Sequence, residues 1–412
     1  MWHHSLAYIE KTTTQGEIIM KICIVTHNIL KGDGQGRVNY EVARKAALSG
    51  HQVTLLASRI DENLLQIPEI TWVPIPGNYL PTNLLKTMIF SWFAGRWIRK
   101  HHSEYDIIQG NGAATPPGSC KFNAVHFVHN AWLNSPSHIS KQALGIYSFY
   151  QWLYSKLNAY WEISALRHVP HIISVSDKVK ADLIDIGISE KQITTIINGV
   201  DLDEFKPRTE ISQMLHHELS LNLNTPLGLF AGDIRTNRKN LDSVLRAMLN
   251  IKNMHLVVIG ETGKSPYPKM VNDLGLTDRI HFLGYRKDIA SLMRGCDFFV
   301  FPSRYEACTL VLLEALASGL PVITAVSTGG SEIVEPNCGI VLDDSDDISQ
   351  LVNALGNMSE NLERTRSMSS SARQVAEKYS WEVMANTYLH LFSSHISLDS
   401  SQNHPDLFTS TM

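Results

Sequence analysis

Short apolar runs, closed by glycine, proline or polar clusters, alternate along this chain with stretches of helical spacing. KICIVT (21–26), VTLLA (53–57), ITWVPI (70–75), YDIIQGNG (105–112), FNAVHFVHNAW (122–132) and HIISVS (171–176) read as strands, some ending in a turn. Helices are expected over about 38–48, 84–101, the aromatic-rich stretch 141–167, and onward from a Ser176 or Asp177 cap. The pattern lapses in the polar segment 208–225 and restarts with LGLFAG (227–232). DFFVFP (297–302), PVITA (321–325) and CGIVLDD (338–344) then read as strands, with a helix over 309–317 stopped by Ser318-Gly319 and Pro321. Strand, loop, helix, strand is the unit of a parallel sheet whose ligands sit at the carboxyl ends of the strands. Two such α/β domains are expected, at 20–207 and 208–379. Residues 1–19 and the Ser-rich 396–412 are expected to be disordered.

At 412 residues two domains are also the default on length. The formal charge of -4 leaves no global basic field, so nucleic acid is not an expected partner. Cysteines 23, 120, 296, 308 and 338 lack C-x-x-C spacing, which argues against disulfides or structural zinc and for a reducing, cytoplasmic compartment. No run approaches the roughly 18–20 apolar residues of a membrane span, and the opening residues do not resemble a secretory signal. The 84–101 helix has an apolar aromatic body and ends in Arg96, Arg99 and Lys100. Cations at a helix carboxyl end need no special role, yet such a helix also suits peripheral contact with the inner face of a membrane.

The richest stretch for chemistry runs from 302 to 335. Glu306 lies in a polar loop, and Glu314 lies in the apolar helix LVLLEALA, where an unpaired charge is costly. Read singly, the first is an ordinary loop charge and the second a snorkelling one. The backbone N–H groups around Thr309 and Leu310 open a helix and suit a phosphate. Arg235, Arg238 and Lys239 precede another helix, where cations oppose the dipole unless an anion sits there. Gly32, Gly34 and Gly36 form a G-x-G-x-G loop, either a flexible turn or a phosphate seat. HLVVIGETGKS (255–265) is not a P-loop, since Val258 stands in the place of its first glycine. The Asp201-Leu202-Asp203 spacing falls in a domain-boundary phrase, so no metal site is expected.

Taken whole, Pro302, Ser303, Glu306, seven residues, Glu314-Ala315, Gly319, Pro321 to Ile323 and Gly329-Gly330-x-Glu332 closely resemble the donor signature of the retaining glycosyltransferases of family four (glycosyl transferases group 1). Asn198-Gly199-Val200-Asp201 with Phe205-x-Pro207 resembles the phrase with which that family leaves its first domain. The resemblance implies a GT-B fold: two doubly wound Rossmann-like domains facing across a cleft, with a final helix over 380–395 crossing back to the first. It implies a metal-independent hexosyltransferase without a cofactor, taking a nucleotide-sugar such as a UDP- or GDP-sugar as co-substrate. The acceptor would be a saccharide or glycolipid in polysaccharide biosynthesis, reached from the cytoplasm or its membrane face. It assigns Glu306 and His129 to the donor sugar, with His126 as second choice, and Glu314 to the ribose. Lys239 and Arg235 are assigned to the diphosphate, together with Gly34, Gly36, Thr309 and Leu310, and Gly284-Tyr285 lie near the base. Two departures from the family pattern, Ala307-Cys308-Thr309 where glycines are usual and Asp233 where Arg is common, keep open a non-catalytic partner of the same fold. Another use of the fold, a sugar-nucleotide epimerase, is the second rival.

Overall fold

Parallel pairing gathers the apolar runs into two sheets in the computed structural model, which describes residues 19–77, 80–207 and 214–402. The amino-terminal half contributes β1 (Lys21–Val25), β2 (Asn28–Ile29), β3 (Gln52–Ala57), β4 (Arg59–Ile60), β5 (Ile70–Pro74), β6 (Ile107–Asn111), β7 (Phe122–Val125), β8 (His171–Ser174) and β9 (Ile193–Thr195). Its main sheet runs β5-β3-β1-β6-β7-β8-β9, and β2 pairs with β4 alongside. The second half contributes β10 (Leu227–Ala231), β11 (His255–Ile259), β12 (Ile280–Gly284), β13 (Phe298–Phe301), β14 (Val322–Ala325) and β15 (Gly339–Leu342), in the order β12-β11-β10-β13-β14-β15. Every residue of β10 and β13 is buried. That is why these strands read as unbroken apolar runs: helices cover both faces of such a sheet.

Both strand orders reverse once, between β1 and β6 in the first sheet and between β10 and β13 in the second. At such a switch point neighbouring loops leave in opposite directions and open a crevice for a ligand. The molecule is thus two doubly wound Rossmann-like domains, each presenting a crevice.

Three local expectations change. The first helix begins at Gly34, not near Val38, because the Asp33 side chain caps it by accepting from the Gly36 N–H at 3.1 Å. His129 does not end a strand in a loop; β7 stops at Val125 and His129 opens a short helix, His129–Asn134. The last helix runs Trp381–Gln402, so residues 396–402, expected to be disordered, are helical. Its serines return their hydroxyls to the helix, as Ser394 does to the His390 carbonyl (2.8 Å) and Ser397 to that of Ser393 (3.1 Å). Tyr388 and Phe392 are fully buried in the first domain's core, with Ile396 packed against it. The proposed disorder of 1–18 and 403–412 lies outside the described residues, as does 208–213 of the expected linker.

Candidate active site

Loops after β10 and β13 meet at the second domain's switch point. The first contains a single 3-10 turn, Asn237–Lys239, ended by Asn240 with left-handed φ 65°. Asparagine tolerates that conformation, and its side chain donates to the carbonyls of Pro302 (3.0 Å) and Ser345 (2.5 Å). Arg304 ties the loops further: it grips Asp242 with two bonds of 2.9 Å and donates to the Asn237 carbonyl at 2.7 Å. Its backbone N–H donates to the Arg238 carbonyl at 2.9 Å. Held this way, Lys239 Nζ donates to Glu306 Oε1, and Arg238 Nη1 lies 3.2 Å from the same oxygen. Lys239 also rests over the Phe301 ring, 5.0 Å from its centre. Burial pushes the Lys239 ammonium pKa down, while Glu306 opposes that shift.

The backbone of the Glu306 loop is pinned from the other side. Gly329 donates to the Glu306 carbonyl (2.9 Å), and Thr309 donates to that of Gly329 (3.1 Å). Thr309 is the N-cap of the Leu310–Ala317 helix and makes no side-chain cap bond, which leaves the first-turn N–H groups of this helix without one. Glu314, one turn further, has its carboxyl pushed up to about 7 by burial, with Glu204 adding and Arg37 opposing. Arg37 belongs to the first domain, where it pairs with Glu41 at 2.8 Å and approaches Asp201 at 3.7 Å.

The first domain's switch point opens into a cleft of about 560 Å³. His129 lines it, held by Glu162 of the Ile146–Leu166 helix: one carboxylate oxygen accepts from the His129 backbone N–H (2.9 Å), and the other lies 3.3 Å from Nδ1. His126 lines the same cleft. Gly36 is needed by its own loop, since a Cβ there would meet the Leu30 N at 2.9 Å, whereas around Gly34 there is open space. Contacts between the domains converge on the Glu306 loop. The Tyr305 hydroxyl donates to the Val128 carbonyl (3.2 Å), just before His129, and Ser176 Oγ donates to the Ala307 carbonyl (2.5 Å). Glu332 accepts from the Asp177 N–H at 2.7 Å.

Of the residues singled out in the sequence, Lys239, Glu306, Thr309 and Leu310 therefore come together, and Glu314 lies within electrostatic reach of Arg37. Arg235 stands apart, bonded to Asp233 through Nε and Nη2 at 2.8 Å each on the exposed side of the loop. Its neighbour Arg238 occupies the place beside Glu306. Glu162 was missed, although the signal was there: an acid inside the apolar run NAYWEISAL raises the same question as Glu314. Tyr285, beyond the end of β12, is 74% exposed.

Two switch-point crevices, linked by a loop that both domains hold, define a GT-B protein. The sequence profile of Glycosyltransferase Family 4 matches residues 32–204 and that of Glycosyl transferases group 1 matches 225–361, one for each domain. The chain belongs to this family of glycosyltransferases. A UDP-Gal:alpha-D-GlcNAc-diphosphoundecaprenol alpha-1,3-galactosyltransferase of Escherichia coli is 28% identical over 264 residues, 62% of this chain and 64% of that protein. The lipopolysaccharide glucosyltransferase WaaG of Escherichia coli strain K12 is 32% identical over 111 residues, 26% of this chain and 30% of its own. The chain thus spans less than two thirds of either curated relative. The crystal structure of WaaG shares the fold with a TM-score of 0.70 at 18% identity, over 90% of this chain and 99% of that one. Sucrose-phosphate synthase from Thermosynechococcus elongatus does so at 0.72 and 19%, over 92% and 100%.

Proposed function

We propose that this protein is a retaining, metal-independent hexosyltransferase that moves a sugar from a nucleoside-diphosphate sugar to a saccharide or glycolipid acceptor. The observation that carries this reading is the Lys239, Arg238 and Glu306 cluster at the second switch point. Two cations there converge on one carboxylate oxygen, which acts as a resident anion. An arriving diphosphate takes over the cations and frees Glu306 for the hydroxyls of the donor sugar. Lys239 and Arg238 then stabilise charge on the departing diphosphate, helped by the first-turn N–H groups after Thr309, in the role a divalent ion plays elsewhere. Glu314 takes the ribose hydroxyls, and Tyr285 offers an open aromatic face to the base. From the first domain His129, oriented by Glu162, faces the transferred sugar, and the acceptor enters the 560 Å³ cleft beside it.

The names of the relatives, with a diphosphoundecaprenol acceptor in one and lipopolysaccharide in another, favour surface polysaccharide or glycolipid assembly at the cytoplasmic membrane face. No helix among the described residues is long and apolar enough to cross a membrane.

Nucleoside diphosphate release from a panel of UDP-, GDP- and ADP-sugars tests the reading. Slow release from one donor is expected, unchanged by EDTA and abolished by Glu306→Ala and by Lys239→Ala. Arg238→Ala should cut it by about 10- to 100-fold, the scale of one lost charge-assisted bond, while Arg235→Ala stays within about twofold. Conversion of a donor to its sugar epimer would make the protein an epimerase. Neither binding nor release across the panel would make it a non-catalytic partner.

A further inference from the structure

Two cations in the first domain's cleft have no ion pair among the described residues. Lys86, on the Asn83–His101 helix, and Arg59, on β4, both line it, and Arg59 bonds only the neutral amide of Asn28, at 3.1 Å. They spring from neighbouring backbone: a Cβ on Gly77 would lie 3.5 Å from the Lys86 carbonyl oxygen and 3.7 Å from the hydroxyl of Ser58, next to Arg59. Glu162 is the one carboxylate among the described lining residues, and it is committed to His129. His27 and His126 also line the cleft, and the Nε2 of each is shielded from solvent and without a hydrogen-bond partner among the described residues. Burial holds both imidazoles at about 4, with Asp33 opposing the shift at His27, so each is neutral at pH 7. Trp132 gives the same cleft an apolar face of the size of a sugar ring.

We propose that the acceptor carries an oxyanion, phosphate or carboxylate, seated between Lys86 and Arg59, with its sugar on Trp132. This rests on the reading of the cleft as the acceptor site. It goes beyond that reading in specifying charge: a neutral saccharide leaves both cations unmatched, whereas an oxyanion gains charge-assisted bonds from each.

Calorimetric titration of the full chain with inorganic phosphate, glucose 6-phosphate, glucuronate and glucose tests this, with nucleoside diphosphate in excess to occupy Lys239 and Arg238. At least one charged probe should bind about tenfold or more tighter than glucose, with the advantage shrinking as salt rises. Lys86→Gln and Arg59→Gln should each remove most of that advantage. Circular dichroism of the variants checks that they fold. Failure of all three anions to bind overturns the proposal, as does a preference for charge that survives the double variant. Phosphatidylcholine vesicles with and without polyprenyl phosphate locate the source of the oxyanion. Competition with the charged sugar assigns it to a lipid-linked acceptor, and its absence assigns it to the sugar itself; either supports the cradle. Loss of nucleotide binding with the charge preference retained would count against the transferase reading alone.

Discussion

Glu314 is surrounded along its helix by leucine, valine and alanine, and its carboxyl is raised from 4.5 to about 7. Between those values the folded chain holds a proton that the unfolded chain has released. The stability this group confers is therefore full below about pH 4.5 and is lost as pH climbs to 7, a change on the order of 3 kcal/mol. Glu314→Gln, neutral throughout, should melt higher than the wild type at pH 8 and show little of that difference at pH 4.5. Equal differences at the two pH values would remove burial as the cause. A carboxylate kept at this cost suits a group that receives hydroxyl hydrogens from a ligand. The residue level was legible where the family resemblance carries it, as for Lys239 and Glu306, which meet in the structure. It was not legible where a single turn aims the side chain. The left-handed Asn240 and the Arg304 brace send Arg238 to Glu306, while Asp233 holds Arg235 outward, and charge counting along the loop cannot separate the two arginines.

At the scale of elements, the Glu306 loop depends on a residue outside it. A Cβ on Gly329 would sit 1.8 Å from the Ala307 carbonyl oxygen and 2.8 Å from that of Glu306. Both oxygens are backbone, so the loop itself must move. The Glu306 loop lacks the glycines usual in the family, and close approach is supplied instead by Gly329 from the strand-to-turn segment beside it. Gly329→Ala should lower donor turnover by about 100-fold or more, the scale of a misplacement near 1 Å, while the melting transition stays cooperative. Wild-type turnover would show that the loop can relax without losing Glu306. Strands and most helices were readable because the central strands of both sheets are buried on two faces and their apolar runs are continuous. The end of the last helix was not, because serine reads as a breaker by composition, yet here the hydroxyls of Ser393, Ser394 and Ser397 find carbonyls one turn back while Phe392 and Ile396 keep the buried stripe.

At the scale of the molecule, the two helices that wall the first domain's cleft also carry several exposed apolar residues. Lys86 and Tyr154 face the cleft from the Asn83–His101 and Ile146–Leu166 helices. The same helices expose Leu85, Met88 and Trp92 at helical spacing, together with Ile146, Tyr147 and Phe149, and Leu144 precedes the second. Apolar side chains grouped this way on a surface mark a docking face. Arg96, Arg99 and Lys100 are exposed on the first helix, which fits an anionic bilayer better than a neutral one. A membrane on this side would bring a lipid-linked acceptor to the cleft mouth without any spanning segment. Co-sedimentation should therefore show binding to phosphatidylglycerol-containing vesicles and little to phosphatidylcholine alone. Raising salt should weaken it, since each cation near the surface contributes about 1 kcal/mol and that attraction is screened within a Debye length. Met88→Ser with Trp92→Ser should weaken it by removing apolar area, and Arg99→Gln with Lys100→Gln by removing charge, in the latter case by about tenfold or more. Nucleoside diphosphate release in solution should be untouched by either pair, because those residues lie on a first-domain helix and not in the donor crevice. Equal affinity for both kinds of vesicle would leave the basic end of the helix with only its dipole to serve.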